Sequence, residues 1–198
     1  MKTNNKSKPI AALCTPPGIG SISVIRVSGS NLLPLIKKIT CGKLLKNRVV
    51  TLSSFYDNLS GVVIDSCLFT FFKKPSSFTG EDVLEISCHG GNFIYKSILD
   101  SLYNLNVFPA KPGEFSYRAF LNNKVDLLQA EALSSLIQSK TFFSAQESIK
   151  NLTGFFSDTI KNLRKSILSI LILLEKELDF SEDEITFSTN KFILSKIK

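Results

Sequence analysis

The period of the hydrophobic pattern changes once along this chain, within Lys111 to Ala132, KPGEFSYRAFLNNKVDLLQAEA. Before that stretch, short apolar or alternating runs read as strands separated by short helices. After it, apolar residues recur at helical spacing. The two patterns bury their apolar faces differently, so the chain is predicted to be α+β: an N-terminal mixed-sheet α/β domain over 8–121, then a helical-bundle segment over 122–198. Within the stretch, Pro112-Gly113 marks a turn, Glu114 leads a short polar helical segment and Asn122-Asn123 breaks it. From Val125 the helical period is set by Leu127, Leu128, Ala132, Leu133 and Leu136. The stretch also carries Lys111, Glu114, Arg118, Lys124, Asp126 and Glu131. Such charges ordinarily face water, although domain junctions are also common places for small-ligand sites.

Taken in order, Ile10–Cys14 and Ile22–Val27 read as strands with TPPGIGS between them. Gly18-x-Gly20 is not a dinucleotide fingerprint, because a strand rather than a helix follows and the third glycine is missing. These glycines serve a tight turn or a close backbone approach to a ligand. Ser28-Gly29-Ser30 is predicted to cap a helix over Asn31–Ile39. Arg48–Tyr56 and Val62–Phe72 read as a hairpin through Asp57–Gly61. The nearly continuous apolar run VVIDSCLFTFF predicts a strand covered on both faces.

Asp82–Cys88 is a further strand, with Val83, Glu85 and Ser87 on one face and Leu84, Ile86 and Cys88 on the other. A carboxylate in mid-strand, Glu85, must face solvent, pair with a cation or bind something. His89-Gly90-Gly91 then precedes a helix over Asn92–Asn104, a geometry that suits an anion or a tight turn. His89 is the single histidine; with only Cys88 beside it, it lacks the ligand number of a metal site. No nucleophile partner is evident either, which leaves a structural or ligand-orienting role. Val107–Lys111 is a last short strand, and Val125–Lys140 and Phe142–Leu178 read as helices. The second is unusually long, and its apolar face needs a partner.

The net charge of +7 permits an anionic partner such as RNA. A chain rich in Lys, Asn, Ile, Phe and Ser, with no Trp, reaches that charge with no partner implied. Cys14, Cys41, Cys67 and Cys88 form no CxxC pair, and no apolar signal follows Met1–Lys8, so they are read as reduced thiols of a cytoplasmic protein. Ile167–Leu174 is the most apolar run and is far too short to span a membrane.

Four stretches, TPPGIGSISVIRVSG (15–29), SFTGEDVLEISCHGG (77–91), KPGEFSYRAFLNNKVDLLQAEAL (111–133) and DFSEDEI (179–185), resemble in order the N-terminal part of the tRNA modification GTPase family MnmE, also called TrmE. The resemblance covers about Ile10 to Ile185. It implies a folate-binding domain similar to those of aminomethyltransferases, followed by a helical domain. It also implies a homodimer through the N-terminal domain and work on tRNA with the flavoprotein MnmG. That work installs an aminomethyl-type group at C5 of the wobble uridine, with a tetrahydrofolate derivative such as 5-formyltetrahydrofolate supplying the one-carbon unit. By motif it assigns folate contacts to Arg26 of VIRVSG, Glu85 of GEDVLE and Lys124 of LNNKVDL. The glycines and histidine read above, Gly18, Gly20, His89, Gly90 and Gly91, stand beside these as a candidate secondary ligand loop.

The sequence departs from the family in lacking the GxxxxGK[ST] loop of a GTPase domain. Asn123-Lys124-Val125-Asp126 mimics the guanine-specificity motif NKxD, but no phosphate loop precedes it, so it reads as coincidence. The chain is therefore expected not to hydrolyse GTP alone, and to be either a fragment or a decayed natural product. The competing readings are a stand-alone folate-dependent one-carbon transferase and a structural dimerisation module.

Overall fold

The computed structural model of the chain describes residues 8–179. Six strands form one sheet in the order β3-β4-β5-β2-β1-β6: β1 Ile10–Leu13, β2 Ile22–Gly29, β3 Val50–Tyr56, β4 Val63–Phe72, β5 Asp82–His89 and β6 Phe108–Pro109. All pairings are antiparallel except β1 with β6, so the sheet is mixed, as expected. The helices beside it are α1 Leu33–Ile39, α2 Asn92–Tyr103 and α3 Glu114–Leu121. The sheet unit runs to Asp126; a helical unit begins at Leu127 and contains α4 Leu127–Gln138, α5 Phe142–Leu152 and α6 Phe155–Asp179.

The alternation of each strand divides the sheet into two faces. Ile25 and Val27 of β2, Leu84 and Ile86 of β5, and Cys67, Phe69 and Phe71 of β4 point to one side. There they pack on Leu32, Ile36 and Ile39 of the α1 region and on Ile98 and Leu102 of α2. Each large side chain fully buried in this layer contributes about 1.5–3 kcal/mol. The second face carries Val24, Arg26, Leu68, Thr70, Glu85 and Ser87. The 73–81 connection covers one end of it, burying Ser28 against Thr79 through a 2.7 Å hydroxyl pair. At the other end Ile22 and His89 are open to solvent.

Several local expectations are corrected. Ser28 and Gly29 belong to β2 rather than to a cap; the helix starts at Leu33, with Pro34 in its first turn. Asp82 Oδ2 accepts from the Leu32 N–H at 3.2 Å, capping from a distant strand. Arg48 lies outside β3 at φ 61. The β4 strand alternates instead of being covered on both faces, since Leu68 is exposed between buried Cys67 and Phe69. The predicted helix over 142–178 is two helices, broken at Thr153-Gly154, where Gly154 takes φ 95 and no ordinary residue continues comfortably. The expectations for residues 180–198, including most of DFSEDEI, lie outside the described residues.

Candidate functional site

Registry places Arg26 of β2 directly opposite Glu85 of β5, in one row with Thr70 of β4 and Ala12 of β1. Arg26 donates to Glu85 Oε1 from Nε at 3.0 Å and from Nη2 at 2.7 Å. Among the described residues, Oε2 of Glu85 accepts from none. The two side chains keep 26% and 29% of their surface exposed, so water or a ligand can reach the pair. Phe78 and Phe115 lie 5.2 and 5.8 Å from the guanidinium carbon, and their rings add cation–π attraction on two sides. Of the three outcomes open to Glu85, pairing with a cation is the one observed, with one oxygen spare.

Lys124 approaches from the 122–126 segment. Its side chain packs on Gly80, where an added Cβ would stand 3.2 Å from Lys124 Cγ and 2.9 Å from Asn122 Cβ. Gly80 has φ 76, so the turn needs glycine twice over. Asn122 donates to the Thr79 carbonyl at 2.7 Å and ties this segment to the 73–81 connection, which carries Phe78. Lys124 and the Arg26–Glu85 pair are thus attached to one loop from two sides.

Arg118 has a different place. Its side chain is only 12% exposed and donates to Glu81 Oε2, Glu114 Oε1 and the Lys8 carbonyl, each at 3.0 Å. Burial pushes the Glu114 carboxyl up, but the Lys111 N–H bond and Arg118 outweigh that, and the net shift is downward. Of the junction charges, Glu114 and Arg118 belong to a nearly buried network, while Lys111, Lys124 and Glu131 are exposed as charges ordinarily are. A cleft of about 720 Å³ opens beside it, lined among others by Ser30, Lys74, Gly80 and Tyr117. The Arg118 guanidinium already makes three hydrogen bonds there.

At the far end of β5, His89 Nδ1 lies 2.7 Å from Asp65 Oδ1, and the His89 N–H donates to Asp65 Oδ2 at 2.8 Å. Asp65 also accepts from the Ser66 N–H at 2.8 Å. Burial raises the Asp65 carboxyl, yet these bonds prevail and hold it below its ordinary value. An ionised carboxylate only accepts, so the Nδ1 proton is fixed toward Asp65 and Nε2 is the outer ring nitrogen. Asp65 was missed from sequence; the only signal was an acid inside an apolar strand.

Gly18 and Gly20 lie in the β1–β2 connection. A Cβ on Gly90 would stand 2.2 Å from the Gly20 carbonyl oxygen, so this connection and the end of β5 touch only because Gly90 is glycine. The Gly90 N–H donates to Ser21 O at 3.0 Å, and Gly91 precedes α2 as its N-cap residue. Among the described residues no three His, Cys, Asp or Glu side chains cluster as a metal site requires. No described helix is long and apolar enough to cross a membrane.

A sheet unit with a partly exposed cation–carboxylate pair on its second face, followed by a helical unit, defines the class of this chain. Residues 9–124 match the family model described as GTP-binding protein TrmE N-terminus, and residues 127–198 match the MnmE helical domain. The tRNA modification GTPase MnmE of Nitrosococcus oceani is 41% identical over 197 residues, covering 100% of this chain and 43% of the relative. That of Neisseria meningitidis serogroup A is 44% identical over 178 residues, covering 90% and 39%. That of Alkalilimnicola ehrlichii is 42% identical over 188 residues, covering 95% and 42%. The chain belongs to the MnmE (TrmE) family, and it spans about two-fifths of the length of these relatives.

Proposed function

We propose that the sheet unit binds a reduced folate such as 5-formyltetrahydrofolate, as the ligand-holding part of a tRNA modification GTPase. In this reading the whole protein acts with MnmG and uses the folate one-carbon unit at the wobble uridine of tRNA. The observation that carries it is the Arg26–Glu85 pair with Oε2 to spare between Phe78 and Phe115. A pterin presents an amino group and a ring N–H along one edge, and a carboxylate accepts from both. Arg26 holds Glu85 in place, and aromatic rings suit a flat heterocycle. Lys124, joined to the same loop through Gly80, suits the pterin carbonyl or another acceptor. When bound, the folate supplies the carbon unit; the chain's own residues bind and orient it.

Calorimetry of the purified chain with 5-formyltetrahydrofolate tests this. Saturable binding is expected, weakened by about 1–3 kcal/mol in Glu85→Ala, which leaves pterin donors unpaired. Absence of heat from a chain with a folded circular dichroism spectrum would overturn the proposal.

A further inference from the structure

The basic side chains of this chain are not spread evenly. Over 127–179, six lysines and arginines meet six acids, so that stretch has no net charge. In the sheet unit, by contrast, no Asp or Glu occurs in 28–56 or in 66–80, while these two stretches hold seven cations. A bias toward lysine raises charge everywhere; it does not clear the acids from two stretches that the fold brings together. They meet at one corner of the sheet, where β3 starts and β4 ends, with Val50 opposite Thr70. The Arg48 N–H donates to the Phe71 carbonyl at 2.7 Å, and Arg48 Nη2 to the Ser76 carbonyl at 2.6 Å. The Lys73 N–H donates to Asn47 Oδ1 at 2.8 Å. Lys43 Nζ donates to the Leu52 carbonyl at 2.6 Å, which ties the 41–49 connection to the edge strand. The Gly42 N–H, bonded to the Lys37 carbonyl at 2.7 Å, fixes the end of α1 to the same connection.

The seven cations, Lys37, Lys38, Lys43, Lys46 and Arg48 from one stretch and Lys73 and Lys74 from the other, are all exposed. Among the described residues none of them pairs with a carboxylate. Asp82, the acid bonded to this corner, is 5% exposed and accepts from the Leu32 and Lys74 N–H groups. Glu81, which lines a cleft together with Lys74, is held by Arg118. Like charges gathered without counter-charges repel one another, and a polyanion relieves them all at once. We propose that this corner is an RNA-backbone surface, which receives the phosphates of the tRNA on which the whole protein acts. The proposal rests on the tRNA part of the reading above and not on the folate site. Arg48 is the fixed point, held by its backbone and by Ser76, with its guanidinium carbon 5.6 Å from the Phe72 ring centre. Lys37, Lys38, Lys46 and Lys73, whose side chains make no bond within the described residues, are the adjustable contacts. A lysine meets a phosphate as a point charge on a flexible stem, so the corner holds and orients the RNA without reading its bases. A lipid surface fits less well. A helix that lies on a membrane sets an apolar face beside its cations, and α1 turns Ile36 and Ile39 into the core instead.

The test is fluorescence anisotropy of labelled bulk tRNA titrated with the full chain between about 50 and about 200 mM KCl, the range over which phosphate contacts show their salt dependence. Two fourfold variants are compared, each losing four charges. One carries Lys37→Gln, Lys38→Gln, Lys46→Gln and Lys73→Gln at the corner. The other carries Lys96→Gln, Lys111→Gln, Lys140→Gln and Lys165→Gln elsewhere on the exposed surface. The corner variant is expected to lose roughly tenfold or more in affinity at about 100 mM KCl, and its log–log salt slope to shallow by about 3–4, near 0.9 for each lost phosphate contact. The control variant is expected to keep both, and circular dichroism melts of the two should coincide with that of the parent chain. Equal losses in both variants would mean diffuse charge and overturn the corner while leaving the tRNA reading in place. Displacement of the tRNA by phosphatidylserine vesicles, and not by phosphatidylcholine vesicles, would assign the corner to a membrane surface and overturn the proposal. A parent chain that takes up no tRNA at about 50 mM KCl would overturn both the corner and the reading that this part of the protein meets tRNA; folate calorimetry is decided independently of all these outcomes.

Discussion

Arg118 gathers two carboxylates and a backbone carbonyl around one nearly buried guanidinium. Removing it strands Glu81 and Glu114 with their charges, while exchanging the whole network for apolar groups would not. Arg118→Ala is therefore expected to lower stability by about 3–5 kcal/mol, read as a fall in the urea midpoint at constant slope. Asp57 shows the opposite case, a solvent-facing charge set by neighbours. Its carboxylate accepts from the Ser60 hydroxyl at 2.7 Å and the Ser60 N–H at 2.9 Å, which hold it down to about 2 from an ordinary 3.8. Because the folded value is the lower one, this contribution is complete above about pH 4 and is lost as pH falls through about 2. Ser60→Ala should move the Asp57 carboxyl resonance titration upward; an unchanged titration would contradict the assignment. Glu85 was legible as a functional candidate because a mid-strand carboxylate has few uses; Arg26 entered through the VIRVSG motif of the family resemblance. The pairing of Asp65 with His89 was not legible, since the two are 24 residues apart and meet only through the β4–β5 alignment.

The connections between elements depend on two glycines in different ways. Gly90 admits the Gly20 carbonyl into the space a side chain would take. Gly90→Ala must push the 20–22 segment from the end of β5, at about 1–3 kcal/mol for an overpacked contact, and amide exchange should quicken at Ser23 and Cys88. Gly154 is conformational instead: space for a Cβ exists, with Gln129 Nε2 at 3.7 Å, but φ 95 does not suit an L side chain. Gly154→Ala is expected to cost about 1–3 kcal/mol, visible in thermal melts. Gly154 stood in plain view in the sequence. The unbroken apolar spacing from Ile149 through Leu174 outweighed it and fused α5 with α6. The face of β4 was misjudged for a related reason: Val63 and Leu68 look like core residues by type, yet the described structure leaves them exposed. Alternation in β5, by contrast, was legible because Leu84, Ile86 and Cys88 take turns with Glu85 and Ser87. Backbone kinks such as Asn31 and Arg48 at positive φ follow from tertiary placement and left no local mark.

Among the described residues, exposed apolar side chains recur on the sheet and along α6, besides isolated ones such as Ile19, Leu44 and Leu59. Ile22, Val50, Leu52 and Leu68 lie on the second face of the sheet, and Ile160, Leu163, Ile167 and Leu171 recur along α6. Surfaces of this kind associate. We expect the chain to self-associate through its sheet unit, with light scattering at about ten micromolar giving twice the 22.0 kDa chain mass. A persistent monomer would count against this, and hydrogen exchange that leaves Leu52 and Leu68 unprotected in a dimer would place the interface elsewhere. The two-faced β5 strand also constrains which length changes inheritance can accept. It turns Leu84, Ile86 and Cys88 inward and Glu85, Ser87 and His89 outward on a single alternation. Loss of one codon between Val83 and Cys88 would invert everything beyond the gap, sending core residues to water and outward-facing groups inward. If the proposed folate site stands, folding and recognition fail in the same event, so no lineage can trade one for the other within this strand. Gains and losses of single residues should be confined to connections such as 41–49 and 57–62, where no such alternation is at stake.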